Sequence, residues 1–285
     1  MRHALILFAA LPAAMPAAAQ EAPPIQPDKF QADKSVFSGD FLIAGAGAVV
    51  VPSYEGADEL HVLPAAGLAG RIGGIGINPR AAGVALDIIP DSDKRAGITF
   101  GPVLRYRTNR TGRVADPVVA QLGKLKGVIE GGVVGGMAFK GALNPHDSLS
   151  VSVDVRWDIS GRGSGYIVSP GMSYLTPVNR AQVVGLALGA DFIDARYARY
   201  NFSVTPAGAV ASGLPVYQAQ GGFKDWNIGV FTARDLNGNF LDGGFSLAVG
   251  ALYSRLYGSA AESPITSIRG KSSQWLFGAG LGYIF

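Results

Sequence analysis

Apolar and polar residues alternate along much of this 285-residue chain. In residues 148–160 every odd position is apolar, as at Val153 and Trp157, and every even position is Ser, Asp or Arg. A period of two residues predicts a β-strand with one apolar and one polar face. Such a strand suits the wall of a membrane β-barrel, where one face meets lipid and the other meets the lumen.

The carboxyl-terminal segment, residues 275–285, repeats this alternation with bulky apolar residues on one face and mostly glycine on the other. Residues 98–107, 129–140, 166–174 and 245–253 continue the series. Tyrosine and tryptophan residues recur near the predicted strand ends, where membrane barrels carry aromatic girdles. These aromatic residues are Tyr54, Tyr106, Trp157, Tyr166, Tyr174, Tyr197, Tyr200, Tyr217, Trp226, Tyr253, Tyr257, Trp275 and Tyr283.

The amino terminus has the order of a secretory signal peptide: Arg2, an apolar run over residues 4–11, and small residues ending at Ala19. We expect cleavage after Ala19 or Gln20. A membrane anchor would need about 20 uninterrupted apolar residues, and Pro12 and Pro16 interrupt this run. Residues 1–19 are therefore predicted to be a signal peptide, residues 20–38 a short disordered periplasmic arm, and residues 39–285 an outer-membrane barrel.

Composition supports this organisation. The chain is 48% hydrophobic and 16% charged, with 40 glycines and no cysteine. After the signal peptide no segment reaches the length of a membrane helix, and only helices and closed barrels satisfy all backbone hydrogen bonds in lipid. The fold class is predicted to be all-β, a transmembrane antiparallel up-and-down β-barrel. The net charge of +3 is too small to indicate nucleic-acid binding.

Strand number follows from the connections, because periplasmic turns are short and extracellular loops are long. Residues 237–239, 177–179, 143–147 and 90–94 are predicted to be periplasmic turns. Residues 258–270, 195–221 and 108–124, with a tight turn at 161–163, are predicted to be extracellular. The count is about twelve strands if residues 70–86 form a hairpin around Asn78 and Pro79, and ten if that region is one bent strand; we prefer twelve.

A stripe of charged residues is predicted to face the lumen. Its members are Arg105, Arg107, Glu130, Asp154, Arg156 and Asp158. Buried charges are costly unless they are paired, so the simpler interpretation is a structural network that plugs and stiffens the barrel. The alternative is a narrow path for a small polar solute.

Two loops are further candidates for function. Tyr54, Glu55, Gly56 and Asp58 form a polar loop in which Gly56 is expected to supply a backbone geometry that other residues resist; hairpin closure is the simpler interpretation and a ligand site the alternative. The longer loop, residues 205–222, has helix-compatible residues at 207–211. Its marked positions are Thr205, Pro206, Pro215 and Tyr217. Long loops on a rigid barrel are usually functional, so this loop is expected to enter the lumen or contact a partner.

The sequence offers little for catalysis. After the signal peptide only His61 and His146 remain, both near prolines, and a histidine-dependent hydrolase needs a nucleophile beside its base. No set of His and carboxylates has metal-ligand spacing. We therefore predict no enzyme, no cofactor and no metal, and keep a membrane lipid hydrolase only as a third hypothesis.

Several strings, in order along the chain, resemble the MipA/OmpV family of outer-membrane proteins. They are GAVVVPSYEGAD at 47–58, GPVLRYR at 101–107, DISGRG at 158–163, VTPAGAVASGLPVYQAQGGFK at 204–224 and YSRLYGSAAESPITSIRG at 253–270. The similarity covers residues 39–285 and includes the terminal Phe285.

The resemblance implies an outer-membrane barrel in contact with lipid. For the best-known type of member it implies a non-catalytic scaffold that links a lytic transglycosylase to a penicillin-binding protein, coupling cleavage of peptidoglycan to its synthesis. Other members resemble general surface or uptake proteins. A passive channel or uptake protein for small polar solutes therefore stays as the alternative to the scaffold.

Overall fold

The computed structural model describes residues 35–90 and 95–285, and in this part of the chain twelve antiparallel strands close into one barrel. Each strand pairs with its neighbours in sequence, and β1 pairs with β12. The prediction of an up-and-down barrel with twelve strands is confirmed. The strands are β1 (Phe41–Pro52), β2 (Leu60–Ile72), β3 (Ile75–Arg80), β4 (Gly83–Asp87), β5 (Ala96–Arg107), β6 (Val128–Lys140), β7 (Ser148–Asp158), β8 (Tyr166–Asn179), β9 (Gln182–Ile193), β10 (Gly222–Asp235), β11 (Gly244–Leu256) and β12 (Ser273–Ile284).

The apolar and polar positions that alternate in the sequence form the outer and inner faces of the barrel wall. On β7, Val153 is 41% exposed and Asp154 is 5% exposed, because the first points out of the barrel and the second into it. The glycine face of β12 also points inward, where Gly280 lies opposite Gly47 of β1. A Cβ added to Gly47 would clash with the backbone carbonyl of Ala279, so glycine is required where the two strands approach.

The β3–β4 hairpin is the irregular part of the wall. Its turn lies at residues 81–82, so the predicted turn around Asn78 and Pro79 was wrong by about three residues. Both residues lie inside β3, which pairs with β2 only over Gly70↔Ile77, Arg71↔Gly76 and Ile72↔Ile75. Nearer the long loops, residues 60–69 of β2 pair with β1 on one side but, within the described part of the chain, with no strand on the β3 side. The twelve strands form one closed cycle of neighbours, but β2 and β3 are paired at only three positions, which leaves an open edge along residues 60–69 of β2.

The three longest connections, 108–127, 194–221 and 257–272, lie at one end of the barrel, as predicted, together with 53–59 and the shorter 81–82 and 159–165. The turn predicted at 177–179 lies at 180–181 instead, because β8 continues to Asn179. Within the described residues the long connections carry five short helices, α1 (Pro117–Ala120), α2 (Ala195–Phe202), α3 (Pro206–Ser212), α4 (Gly258–Glu262) and α5 (Pro264–Ser267). None of the helices in this part of the chain is long and apolar enough to cross a bilayer. We call the end that carries the four connections 53–59, 108–127, 194–221 and 257–272 the cap.

The opposite end is filled by an apolar cluster, which we call the base. Its buried members are Phe41, Ile43, Ala69, Ala233, Phe240, Ala248 and Ile284. Residues 35–38, assigned above to a disordered arm, instead form a 3₁₀ turn (Val36–Ser38). Val36 N–H donates to the Leu241 carbonyl at 2.9 Å, and Val36 and Phe37 pack on the base. The predicted signal peptide, the rest of the predicted arm and residues 91–94 of one predicted turn lie outside the described residues.

Candidate functional site in the lumen and at the two ends

The predicted charged stripe meets inside the barrel around Glu130. Glu130, on β6, is 2% exposed and accepts a hydrogen bond from Arg107 Nε at 2.7 Å. Its second oxygen lies 3.6 Å from Arg156 Nε. A single buried carboxylate therefore balances guanidinium groups from β5 and β7, because alternation places all three side chains on the inner face.

Arg80 of β3, which was not among the predicted lumen residues, extends this group through Asp154. Its Nε and Nη2 donate to Asp154 at 2.9 and 3.2 Å, in the two-pronged geometry that favours arginine over lysine. Asp154 is also 3.8 Å from Arg156. This ion pair links the short β3–β4 hairpin to β7.

A second cluster surrounds Lys224 of β10. Its Nζ lies 3.1 Å from Asp191, 3.1 Å from Asp225 and 3.4 Å from Glu55. A bulge between Phe223 and Asp225 shifts the register with β9, so consecutive residues Lys224 and Asp225 are both buried inside. Strict alternation would place one of them in lipid.

Ser169 joins the two clusters. It accepts from Arg156 Nη2 at 3.0 Å and donates to Asp191 at 2.6 Å. A continuous polar chain therefore runs from Arg80 to Glu55, which we call the lumen network. Its members are Glu55, Arg80, Arg107, Glu130, Asp154, Arg156, Ser169, Asp191, Lys224 and Asp225.

Two predicted members behave differently. Arg105 is half-buried on the inner face of β5, and its buried Nε has no hydrogen-bond partner. Asp158 does not join the network, because its carboxylate is used by the turn that follows β7. It accepts hydrogen bonds from Ser160 N–H at 2.8 Å and from Ser164 N–H at 3.0 Å. Asp158 stands at the end of β7, where local backbone donors are nearer than the lumen cations.

Helix α2 closes the lumen from above. The Arg107 guanidinium carbon lies 4.5 Å from the centre of the Tyr197 ring, and Arg107 also donates to Asn201 and Ser164. Burial, with the nearby Glu55 carboxylate, raises the pKa of Tyr197 to about 12. Tyr197 and Tyr54 are buried, so their assignment to an aromatic girdle was wrong. Trp226, Tyr253 and Trp275, in contrast, form a run of ring contacts on the outer wall.

The 53–59 loop is part of the cap and also of the network. Gly56 has φ +100°, confirming its expected role, and it accepts from Lys271 N–H at 2.8 Å. Tyr54 packs in the apolar part of the cap, and burial raises its pKa above the ordinary value. Glu55 reaches Lys224, whereas Asp58 is exposed. The loop therefore does more than close a hairpin, and its four residues do not converge on one site.

The 205–222 loop lies across the mouth of the barrel. Thr205 caps α3 by accepting from Gly208 N–H at 3.1 Å, with Pro206 in the first turn. The Tyr217 hydroxyl contacts Ser259 Oγ at 2.7 Å, which ties this loop to α4. Pro206 and Pro215 are exposed. Its buried residue Leu214 packs with Val204, which precedes the loop, in the apolar part of the cap.

At the other end, the 141–147 turn presents an apolar residue. Asp147 accepts from Leu143 N–H and Asn144 N–H, each at 2.8 Å, and from the Tyr174 hydroxyl at 2.8 Å. Desolvation opposes the charged form, but these hydrogen bonds outweigh it and lower the pKa of Asp147. The folded turn leaves Leu143 81% exposed.

The two histidines of the predicted barrel, His61 and His146, lie far apart in the structure and cannot act on the same substrate group. His61 lies within β2 and not in a turn, whereas His146 is exposed in the 141–147 turn at the other end. Among the described residues, no group of three or more His, Cys, Asp or Glu side chains could hold a metal ion.

Solved structures with similarity to this chain include two transport barrels. The toluene transporter TodX of Pseudomonas putida is 10% identical, with 87% of this chain and 89% of that chain covered and a TM-score of 0.37. The monoaromatic hydrocarbon channel CymD is 9% identical, with 87% and 89% covered and a TM-score of 0.36. Similarity at this level carries no argument about cargo.

Sequence comparison is more specific. Comparison with curated protein sequences gives no match. The family model described as MltA-interacting protein MipA matches residues 44–285, which include every strand after the first three residues of β1. The chain therefore belongs to the MltA-interacting protein MipA family.

Proposed function

We propose that this protein is a non-catalytic outer-membrane scaffold that holds a lytic transglycosylase, and with it a penicillin-binding protein, at the periplasmic end of the barrel. Export through cleavage of the 1–19 signal peptide belongs to the same proposal. Membership of a family named for its interaction with MltA supports the transglycosylase as partner. The apolar outer face supports a location in lipid.

The observation that carries the proposal is the occupied lumen. Ion pairs occupy the cap half of the lumen, including one between the non-neighbouring strands β3 and β7. Helix α2 and the other cap elements cover one end, and the base fills the other. A barrel filled in this way leaves its exposed turns as the working surface. A few side chains carry most of the binding energy of a protein contact, and the exposed apolar Leu143 is our candidate for one of them at the periplasmic end.

Replacing Leu143 with serine is expected to weaken capture of a purified lytic transglycosylase by the detergent-solubilised protein at least fivefold. Loss of one apolar anchor costs more than about 1 kcal/mol at an interface, which is about fivefold in Kd. The exposed side chain contributes little to folding, so the barrel stays intact. Surface plasmon resonance with immobilised transglycosylase measures the change.

Val210→Ser is the matched control, because Val210 is 89% exposed on α3 at the cap end. It is expected to leave capture unchanged. Equal loss in both variants, or no capture by the unaltered protein, would show that the 141–147 turn is not the binding surface or that the partner is wrong.

The open edge of β2 favours a second candidate function, passage of a small polar solute. Unpaired backbone groups are costly in hydrocarbon, so residues 60–69 favour a hydrated space beside β2. If the protein is a scaffold only, single-protein recordings in a planar bilayer are expected to show no ion conductance. Stable conductance steps by the unaltered protein would support the passage instead.

A further inference from the structure

The outer wall of the barrel carries a groove near the cap, separate from the lumen. It has a volume of about 570 Å³ and crosses the outer faces of β2, β1, β12, β11 and β10. Its apolar lining consists of Pro52, Ala57, Leu60, Val230, Ala251, Trp275 and Phe277. The small Ala251 side chain pairs with Phe277 across the strands, which leaves a depression beside the large rings.

The aromatic side of the groove is a fixed surface. The Trp275 and Phe277 rings are stacked, with centroids 5.7 Å apart and an interplanar angle of 10°. Tyr253 lies 4.9 Å from Trp275 and 5.5 Å from Trp226. Rings with a polar edge suit the level where acyl chains meet headgroups. The groove therefore extends from the headgroup level into the hydrocarbon of the outer leaflet.

Two cationic side chains, Lys271 and Arg255, lie at the cap end of the groove. Lys271 lines it directly and is held beside the 53–59 loop by its backbone hydrogen bond to Gly56. Arg255 pairs with Ser273, another lining residue, and so shares its outward face. Both are exposed. Among the described residues neither forms an ion pair, whereas the neighbouring Arg269 is engaged by Asp116 at 2.6 Å.

We propose that this groove binds a phosphorylated glycolipid of the outer leaflet, with acyl chains along Ala251 and Phe277 and phosphate on Lys271 and Arg255. The apolar lining matches the chains. Arg255 lies 5.7 Å from the centre of the Tyr257 ring, but among the described residues neither it nor Lys271 has an acidic partner, so both can receive an anionic headgroup. A phosphate receives strong charge-assisted hydrogen bonds from lysine and arginine. This site is independent of the scaffold function.

Native mass spectrometry of the full protein in detergent tests the site, with added diphosphorylated lipid A as the probe. The unaltered protein is expected to retain lipid A. Arg255→Ala with Lys271→Ala is expected to reduce retention at least tenfold. Ala251→Trp, which fills the groove from the lipid side, is expected to do the same. Ala46→Trp is the control, because Ala46 also faces outward on β1 but does not line the groove, and it is expected to retain lipid A.

The competing results each overturn part of the proposal. Retention by Ala251→Trp equal to that of the unaltered protein would exclude the groove. Loss in Ala251→Trp with no effect of the cation pair would exclude the headgroup contact. Equal retention of phosphatidylglycerol, or of dephosphorylated lipid A, would exclude a phosphorylated glycolipid as the specific ligand. A folded-barrel band on an unheated gel verifies that each variant is intact.

Discussion

Replacing Glu130 with alanine is expected to lower the free energy of unfolding by about 3–5 kcal/mol, because removal of one partner from a buried ion pair leaves uncompensated charge. Here two guanidinium groups lose their carboxylate, since Arg107 and Arg156 both approach Glu130. Both arginines are themselves buried, so water cannot replace the lost partner at low cost. Urea unfolding in detergent micelles, followed by tryptophan fluorescence, measures the change.

Arg269→Ala provides the contrast. It breaks an ion pair with Asp116 in the cap, but the Arg269 side chain is 34% exposed, and exposed pairs contribute about 1 kcal/mol or less. A loss in Arg269→Ala as large as that in Glu130→Ala would contradict the claim that burial of the lumen network sets its importance. Glu130→Gln retains a hydrogen-bond acceptor and is expected to fall between the two.

Periodicity alone was sufficient to predict much of this fold. Residues of β7 face the lumen or lipid according to parity, and parity also brought Arg107, Glu130 and Arg156 together. The reason is local: in a regular strand the direction of a side chain depends only on its position. Loop lengths likewise predicted which of the long connections lie at the same end of the barrel.

Parity failed where the strand itself is irregular. Lys224 was missed as a luminal residue because the bulge at Phe223 and Asp225 reverses the alternation. Two adjacent charged residues within a wall strand were the available signal, since one of them would otherwise face hydrocarbon. Arg80 was missed, and Glu55 was predicted only as a residue of a candidate loop and not as part of the lumen network. Their partners lie 74 and 169 residues away, and no local pattern contains such pairings.

The β3–β4 turn shows how a turn residue can mislead. Asn78 and Pro79 are favoured in turns, yet they lie within β3. Proline lacks a backbone N–H, so strands accept it at an edge. Pairing between β2 and β3 ends at Gly70↔Ile77, two residues before Pro79. The proline therefore occupies a position beyond the part of β3 that pairs with β2, where its missing N–H interrupts no pairing with that strand.

Lys224→Met is the second substitution expected to have a large effect, with a loss of about 3–5 kcal/mol in unfolding free energy, because it leaves an uncompensated group of buried charges. Asp191, Asp225 and Glu55 would then face one another without the shared cation. Glu55 belongs to the 53–59 loop, so repulsion is expected to loosen this part of the cap as well. Limited proteolysis from the cap side, combined with urea unfolding, measures both consequences.

Lys271→Met removes the same charge from an exposed position at the cap and is expected to change neither measurement. Lys224→Met with Asp225→Asn tests the cause, because neutralising one carboxylate reduces the repulsion while leaving the lysine absent. Partial recovery of cap protection in this double variant is expected. If the double variant is no better protected from proteolysis than Lys224→Met alone, packing around Tyr54 and Phe202 holds the cap in place. The claim that the ion pair between Glu55 and Lys224 holds it would then be wrong.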